Sequence, residues 1–246
     1  MSAVEQRELV REHVLRRAEA DPRIVAAAVI GSLAVADGDR WSDLDFTFGV
    51  AEGASVSDVM DDWTRELAER FDAVPLLDIA RGELIYRVFL FADWLQVDLS
   101  FAPESVRQTG PNFRLLFGAH DRAFASPPSA RELFGWAVLY ARHAMVGVAR
   151  RQWLYAEYCI SCLRNEALTL ACLHRDLPTG YGKGFDRLPA DVRDSAARSL
   201  ARSLERDELL RALAAAVAVL SHEADETDET FASVIQQLGE LPAAAG

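Results

Sequence analysis

A strand–turn–strand pattern near the N-terminus constrains this chain more than any other feature of its sequence. The continuous apolar run at 24–30 predicts a buried strand, and the pair Gly31-Ser32 follows it directly. A second strand is predicted further on, and Asp43 and Asp45 enter it two residues apart. Because strand side chains alternate between faces, both aspartates are expected on the same face. The pattern therefore predicts a sheet that presents two carboxylates next to a glycine turn.

A third aspartate is expected to join this pair. Asp98 lies in the alternating segment 94–101, whose apolar residues share one face while Asp98 is on the other. Aspartate is depleted in strands, so its place between a valine and a leucine is unusual. If this strand lies beside that of Asp43 and Asp45, three carboxylates converge and repel unless a cation lies between them. Magnesium, a hard cation shared with substrate phosphates, is the natural choice.

The periodicity of the rest of the chain predicts two domains. The first, 1–126, is expected to be a small mixed β-sheet core with helices, and the second, 127–246, to be all-helical, which gives an α/β (α+β) fold class. The boundary falls at the breaker segment 126–129, and no regular pattern is visible between 103 and 129. The predicted helices are 3–20, 32–37, 56–71, 131–149, 151–175, 190–204, 206–222 and 227–239, and the predicted strands are 24–30, 44–50, 73–79, 84–91 and 94–101.

The net charge of −12 narrows the classes of partner. A nucleic-acid binder is expected to show a basic face, so binding to DNA or RNA is disfavoured. Clustered carboxylates instead attract cations, which suits a polycationic small molecule, although an acidic surface also simply favours solubility. There is no run of about eighteen apolar residues, and the first residues are already charged. A cytoplasmic protein without a membrane segment is therefore expected.

The cysteines and histidines are not expected to form a functional site. Cys159 and Cys162 have C-x-x-C spacing and lie with Cys172 in one predicted helix. A zinc site needs ligands from a second element, and none is evident, so these cysteines are interpreted as small buried residues. The five histidines show no spacing typical of metal ligands.

The order of these elements resembles the nucleotidyltransferases of the polymerase-β type. The residues that carry the resemblance are Gly31-Ser32, Asp43-x-Asp45 and the later strand residue Asp98, over roughly residues 20–105. Within that superfamily, the chain is similar to the aminoglycoside and lincosamide nucleotidyltransferases. The resemblance implies that a nucleoside monophosphate is transferred from a magnesium nucleoside triphosphate to a hydroxyl group. It assigns Gly31 and Ser32 to phosphate binding, and Asp43, Asp45 and Asp98 to metal binding.

The resemblance also implies the substrates. ATP is the expected donor, Mg²⁺ the expected cofactor, and a small-molecule hydroxyl compound, such as an aminoglycoside antibiotic, the expected acceptor. With such an acceptor, the protein would be an antibiotic-resistance enzyme. It is expected to be a monomer or a homodimer. The alternatives are a protein or tRNA acceptor, as in toxin-type relatives, and an inactive fold that serves as a binding module. Intact carboxylates argue against the inactive fold, because unused clustered charges would only repel.

Two residues of the helical domain are further candidates for the site. Many relatives carry an arginine after Gly-Ser, where this chain has Leu33, so a charge that faces the phosphates is missing from the turn. Lys183, the single lysine among 26 basic residues, lies in a glycine-rich loop and is predicted to bind the triphosphate. Glu157 is a candidate base for the acceptor hydroxyl, a role that Asp98 could also fill. Alternatively, Lys183 is an exposed loop residue and Glu157 an ordinary helix residue, and neither has a role in the site.

Overall fold

The structure is a computed structural model of a two-unit chain. The residues that it describes are 3–35, 41–105, 108–109, 112–119, 122–123, 127–224 and 229–240. The chain divides into two compact units, Met1–Ala125 and Ser126–Gly246. The first unit contains a mixed sheet with helices and the second contains helices, which confirms the predicted fold class. Each unit has a hydrophobic core of its own.

The first unit combines two long helices with a set of short strands. Both helices have the predicted bounds, and the five predicted strands are found within two residues of their predicted ends. A short 3-10 turn, Gly31–Val35, follows the first strand, where a helix over 32–37 was predicted; residues 36 and 37 lie outside the described ranges. The elements are α1 (Ala3–Ala20), β1 (Ile24–Val29), β2 (Leu44–Val50), α2 (Val56–Phe71), β3 (Val74–Arg81), β4 (Leu84–Leu90), β5 (Gln96–Pro103), β6 (Gln108–Thr109), β7 (Arg114–Phe117) and β8 (Arg122–Ala123).

The strands form a six-stranded sheet in the order β3-β4-β5-β2-β1-β7. Strands β2 and β5 run parallel, and all other neighbours in this sheet are antiparallel. The segment 103–129 was expected to lack regular structure, which is wrong for the three short strands β6, β7 and β8. Strand β7 adds to the edge of the sheet beside β1, and β6 pairs with β8. Strands of two to four residues are too short for their alternation to be read from sequence.

Helices α1 and α2 share a hydrophobic core with one face of the sheet. Trp63 of α2 lies 4.9 Å from the ring of Phe48 on β2 and 5.4 Å from that of Phe101 on β5, in centroid distances. Val14 of α1 is fully buried in the same cluster. Because side chains alternate along a strand, residues between these aromatic positions lie on the opposite face of the sheet. The apolar core thus fixes which residues of β2 and β5 are available for a polar site.

A buried carboxylate ties the connection between α1 and β1 to helix α2. Asp21 is only 2% exposed and accepts hydrogen bonds from Arg23 Nε at 2.9 Å and Trp63 Nε1 at 3.0 Å. Arg23 also donates to Asp62 on α2 at 2.8 Å. The hydrogen bonds from Arg23, and then that from Trp63, hold the pKa of Asp21 well below its usual range against the opposing effect of burial. The buried carboxylate of Asp21 is therefore bonded to a cation, Arg23, and to a neutral donor, the indole N–H of Trp63.

Among its described residues, the second unit contains five α-helices, which share an apolar core. Ser129 begins α3 with a capping box, in which its side chain and that of Glu132 bond each other's backbone N–H groups. None of the helices in the described ranges is both long and apolar enough to cross a bilayer. Cys159 and Cys172 of α4 are buried, and Cys162 is half-buried. The helices are α3 (Ala130–Ala149), α4 (Trp153–Leu173), α5 (Ala190–Arg198), α6 (Arg206–Glu223) and α7 (Glu229–Glu240).

Helix α5 is shorter than the predicted 190–204, because contacts from two other helices satisfy the carbonyl groups at its end. The helix stops at Arg198, and Ser199 Oγ donates back to the Ala196 carbonyl at 2.6 Å. Arg164 of α4 donates to the Ser199 carbonyl at 3.3 Å, and Arg211 of α6 donates to the Leu200 carbonyl at 2.8 Å. Long-range hydrogen bonds of this kind replace the next helical turn and have no signature in local sequence.

Candidate active site

The Gly31 turn lies directly against the carboxylate of Asp45. The Ile30 N–H donates to the Asp45 carbonyl at 3.1 Å, which ties the end of β1 to the start of β2. Gly31 has a φ of 72°, and a methyl group on its Cα would come within 2.6 Å of Asp45 Oδ2. A side chain at position 31 would therefore meet both backbone strain and a clash with the carboxylate. Glycine is required here because the turn approaches Asp45 so closely.

Asp45 and Asp98 are neighbours across the parallel pair β2–β5. The register pairs Asp45 with Asp98, and two residues further on Thr47 with Ser100. The hydroxyl groups of Thr47 and Ser100 are hydrogen-bonded at 2.8 Å, which shows that these alternate residues share one face. Neighbouring strands lie about 4.8 Å apart, so two carboxylates at paired positions are close together. The strands of Asp45 and Asp98 are therefore neighbours, which is the condition under which Asp98 was expected to join the other carboxylates.

Gln96 holds the carboxylate of Asp98 in place. Its side-chain N–H₂ group donates to Asp98 Oδ1 at 3.0 Å and to Oδ2 at 3.1 Å. Gln96 lies two residues before Asp98 on β5, and strand alternation therefore places it on the same face. The alternation of this strand indicated the face but not the contact, because the orientation of a glutamine side chain is not encoded locally. Gln96 is a functional candidate that the sequence analysis did not assign.

Asp43 and Ser32 both precede Asp45 in the sequence and lie outside the regular strands. Asp43 was expected at the entry to the second strand, and it directly precedes β2, which begins at Leu44 as predicted. Ser32 lies in the 3-10 turn that follows β1. Within the described residues, no group of three or more His, Cys, Asp or Glu side chains is gathered closely enough to hold a metal ion. The strand register pairs Asp45 with Asp98 but does not include Asp43. Metal binding by Asp43 stays a prediction.

The chemistry of this donor set fits a hard divalent cation. Asp45 and Asp98 offer carboxylate oxygens from neighbouring strands, and both side chains are half-buried. Magnesium prefers oxygen ligands and is usually held by one or two carboxylates together with substrate phosphates. The close approach of the Gly31 backbone to Asp45 excludes a side chain at position 31, and backbone N–H groups of such a turn can bind phosphate oxygens. Asp45 and Asp98 are the residues that would hold the ion.

The two candidates of the second unit have different local surroundings. Glu157 on α4 accepts a hydrogen bond from Ser161 Oγ at 2.7 Å, and Arg164 donates to the same hydroxyl at 3.0 Å. Lys183 is exposed in the turn before Phe185, and its ammonium group makes no hydrogen bond or ion pair with any described side chain. A methyl group on Gly184 would lie 2.3 Å from the Pro178 carbonyl, so this loop is tightly folded. The roles of Glu157 and Lys183 at the carboxylate site stay predictions.

The first unit is thus defined as a mixed sheet that carries a carboxylate pair against a glycine turn. No protein-family model matches the chain, and no curated protein matches it. Among solved structures, an aminoglycoside 6-adenyltransferase from Bacillus subtilis is similar at 13% identity and a TM-score of 0.36, over 94% of this chain and 92% of that one. The CD-NTase CdnG of Bradyrhizobium diazoefficiens, in complex with GTP, is similar at 13% identity and a TM-score of 0.27, over 98% and 87%. At these TM-scores, neither likeness carries an argument about the activity of this chain.

Proposed function

We propose that this protein is a nucleotidyltransferase that moves a nucleoside monophosphate from a nucleoside triphosphate to a hydroxyl group of a small molecule. The observation that carries the proposal is the pairing of Asp45 with Asp98 beside the Gly31 turn. Two adjacent carboxylates repel each other unless a cation offsets their charge, and a phosphate-bound magnesium ion supplies that charge. The ion would neutralise the phosphate oxygens and bring the triphosphate to the turn.

The residues of the chain have distinct roles in this proposal. Gly31 and Ser32 bind the β- and γ-phosphates through backbone N–H groups and the serine hydroxyl. Asp43 and Asp45 hold the cation, and Asp98 either shares it or accepts the proton of the acceptor hydroxyl. The acceptor oxygen then attacks the α-phosphorus, its bond to that phosphorus forms, and pyrophosphate leaves. Positioning and charge neutralisation supply most of the rate, because little other chemistry is required.

Two residues of the second unit, Lys183 and Glu157, have proposed roles in the reaction. Lys183 supplies the cationic contact to the triphosphate that the Gly31-Ser32 turn lacks. Its exposed ammonium group has no ionic partner among the described residues and is therefore available for such a contact. Glu157 is the second candidate for the base, and its hydrogen bond from Ser161 orients the carboxylate. ATP is the proposed donor, and an aminoglycoside-like polycation is the proposed acceptor, because the chain carries a net charge of −12.

Transfer of label from ATP tests the proposal directly. Purified protein would be incubated with magnesium and ATP labelled at the α-phosphate, against a panel of aminoglycosides, lincosamides and proteins. The readouts are label in the acceptor and release of pyrophosphate. Asp45→Asn and Asp98→Asn are expected to abolish transfer, because each removes a charged ligand at nearly constant volume. Asp58→Asn, at an exposed position on α2, is the matched control and is expected to retain activity. Equal turnover in Asp45→Asn and the control would contradict the mechanism.

A further inference from the structure

The second unit contains an open cavity at the corner between α3 and α4. Its volume is about 880 Å³, within the range of about 300–1,000 Å³ that is typical of small-molecule sites. Residues from the end of α3, the start of α4 and Leu204 surround it. All belong to the helical unit, and neither Glu157 nor Lys183 is among them. The lining residues are Arg142, His143, Val146, Arg150, Gln152, Trp153, Leu154, Tyr155 and Leu204.

The wall of this cavity carries positive charge, in contrast to the chain as a whole. It includes two arginines and a histidine but no carboxylate, although the chain has 38 acidic residues. Arg142 lies on α3, and Arg150 is the residue that follows its last turn, about two helical turns further along. Val146 lies between them, so the three residues follow one side of the helix. Both are exposed, and neither makes an ion pair with any described residue. Two unpaired guanidinium groups at one cavity wall favour a doubly charged anion.

Aromatic surface lies beside these arginines. Tyr155 is 42% exposed, and its ring lies 6.4 Å from that of His143 in centroid distance, at an angle of 32°. Trp153, at the first position of α4, also lines the cavity and packs against the helical core. Leu154 is 73% exposed at the same corner. Exposed rings stack on flat unsaturated groups, so this wall suits the ring of a ligand whose anionic end contacts the arginines.

We propose that this cavity binds an anionic ligand with an aromatic ring, of the mononucleotide class. Arg142 and Arg150 bind the phosphate, and Tyr155 and Trp153 contact the ring. Arg150, at the end of α3, also interacts favourably with the carboxyl end of the helix dipole. Arg142 is in the interior of α3, where that explanation does not apply, so the ligand accounts for its position better. Every residue of this site belongs to the second unit, and none of them has a role in the proposed transfer reaction.

Adenosine 5′-monophosphate is the probe that tests this site. Binding to the full-length chain would be measured by isothermal titration calorimetry at low salt and with EDTA, which removes the cation on which nucleotide binding at Asp45 and Asp98 depends. We expect measurable binding of the monophosphate, and much weaker binding of adenosine and of inorganic phosphate, which each lack one half of the ligand. Binding should persist in Asp45→Asn, because the carboxylate pair does not take part.

Substitutions in the cavity give the decisive comparison. Each charged hydrogen bond is worth about 1.5–3 kcal/mol, so Arg142→Gln should weaken binding of the monophosphate roughly tenfold to a hundredfold, and Arg142→Gln/Arg150→Gln more. Arg131→Gln, at an exposed position on the same helix but outside the cavity, is the matched control and should bind as the wild type does. Tyr155→Ala should weaken adenosine and the monophosphate alike. All four positions are exposed, so circular dichroism should show an intact fold.

Two results would overturn the proposal. One is the absence of monophosphate binding at millimolar concentration in the wild type. The other is equal affinity in the wild type and in Arg142→Gln/Arg150→Gln, which would place the ligand elsewhere. Loss of transfer in Asp45→Asn together with unchanged binding of the monophosphate would show that the two sites are separate. Failure of transfer in the wild type would overturn the proposed function and leave this site standing.

Discussion

At the scale of single residues, the candidate site depends on a contact between a backbone and a carboxylate. Gly31 lies so close to Asp45 that a side chain cannot be added without moving one or the other. Gln96, two residues earlier on the same strand, donates hydrogen bonds to both carboxylate oxygens of Asp98. The two aspartates are therefore oriented by different neighbours, and each neighbour can be changed separately.

Gly31→Ala should reduce activity more than it reduces stability. The residue has a φ of 72°, so alanine costs about 1–2 kcal/mol in backbone strain, and its methyl group displaces Asp45 as well. Gly82→Ala is the matched control, because Gly82 also has a positive φ, of 65°, but has open space around it. Denaturant unfolding should show a strain cost in both variants. Transfer should fall about a hundredfold only in Gly31→Ala; similar rates in both variants would argue against a role for the Asp45 carboxylate.

Gln96→Met should impair transfer while leaving the fold intact. The substitution keeps the size of the side chain but removes the group that donates to Asp98, which then loses its fixed orientation. Loss of a hydrogen bond to a charged group corresponds to about 1.5–3 kcal/mol, or roughly tenfold or more in rate. The initial rate would be followed across a magnesium titration, with Gln236→Met on α7 as an exposed control. A magnesium dependence and a rate like those of the control would show that Gln96 is not a positioning residue.

At the scale of elements, the buried carboxylate of Asp21 links three segments. Asp21 receives hydrogen bonds from Arg23, which directly precedes β1, and from Trp63 in the middle of α2. Arg23 continues the network to Asp62. A charged group in this position stabilises the fold only while it is ionised, so its contribution depends on pH.

Asp21→Asn should destabilise the protein at neutral pH and have less effect in acid. The pKa of Asp21 is held well below its value in an unfolded chain, about 3.9, chiefly by the hydrogen bonds from Arg23. Its stabilisation is therefore fully present above pH 4 and is lost as the pH falls through the unfolded value towards the folded one. Urea unfolding from pH 7 to pH 2 should show the wild-type advantage shrinking below pH 4. Asp194→Asn, exposed on α5, should give no pH-dependent difference; a constant advantage of wild type over Asp21→Asn would contradict this role.

The elements that the sequence predicted well are those with long periodic patterns. Helix α2 and strand β2 have the predicted bounds because their apolar positions repeat at 3.6 and 2 residues and one face of each is buried. Strand β7 could not be predicted, since it has four residues and forms by pairing with β1. The end of α5 could not be predicted either, because arginines from α4 and α6 bond the carbonyls that follow it.

The candidate site shows the same division between local pattern and long-range contact. Alternation placed Asp45 and Asp98 on polar faces, and the parallel register brings them side by side. Asp43 was expected at the entry to the strand and lies directly before its first residue, Leu44. The bonds from Gln96 to Asp98 depend on a side-chain rotamer that sequence does not reveal. The alternating pattern of the strands was enough to predict Asp45 and Asp98 as site residues. The contact of Asp98 with Gln96 is visible only in the folded structure.

At the scale of the whole molecule, the chain has two cores with no shared members among the described residues. One core contains residues from α1, α2 and the sheet, and the other contains residues from the five later helices. The proposed domains, 1–126 and 127–246, differ by one residue from the two compact units. A unit with its own core and its own helix caps has what a domain needs to fold alone.

The fragment 127–246 should therefore fold on its own. Its core includes fully buried residues from three different helices, such as Ile160, Leu209 and Ala141, so its helices have tertiary partners within the fragment. We expect a helical far-ultraviolet circular dichroism spectrum and one cooperative thermal transition. The transition should have the same midpoint whether it is followed by the far-ultraviolet or by the near-ultraviolet signal. Retention of helix without cooperative melting, together with strong binding of a hydrophobic dye, would contradict independent folding.

The parallel pairing of β2 with β5 also limits how the length of this chain can change through evolution. Asp98 is displayed opposite Asp45 only while the residues of β5 keep their alternation with respect to β2. One inserted or deleted residue inside β5 would turn Val97 or Leu99 outward and Asp98 into the aromatic core. Insertions of any length are better tolerated in the turn at Gly82, where the surroundings are open. Functional homologues should therefore vary in length at that hairpin and keep the number of residues within β5 constant.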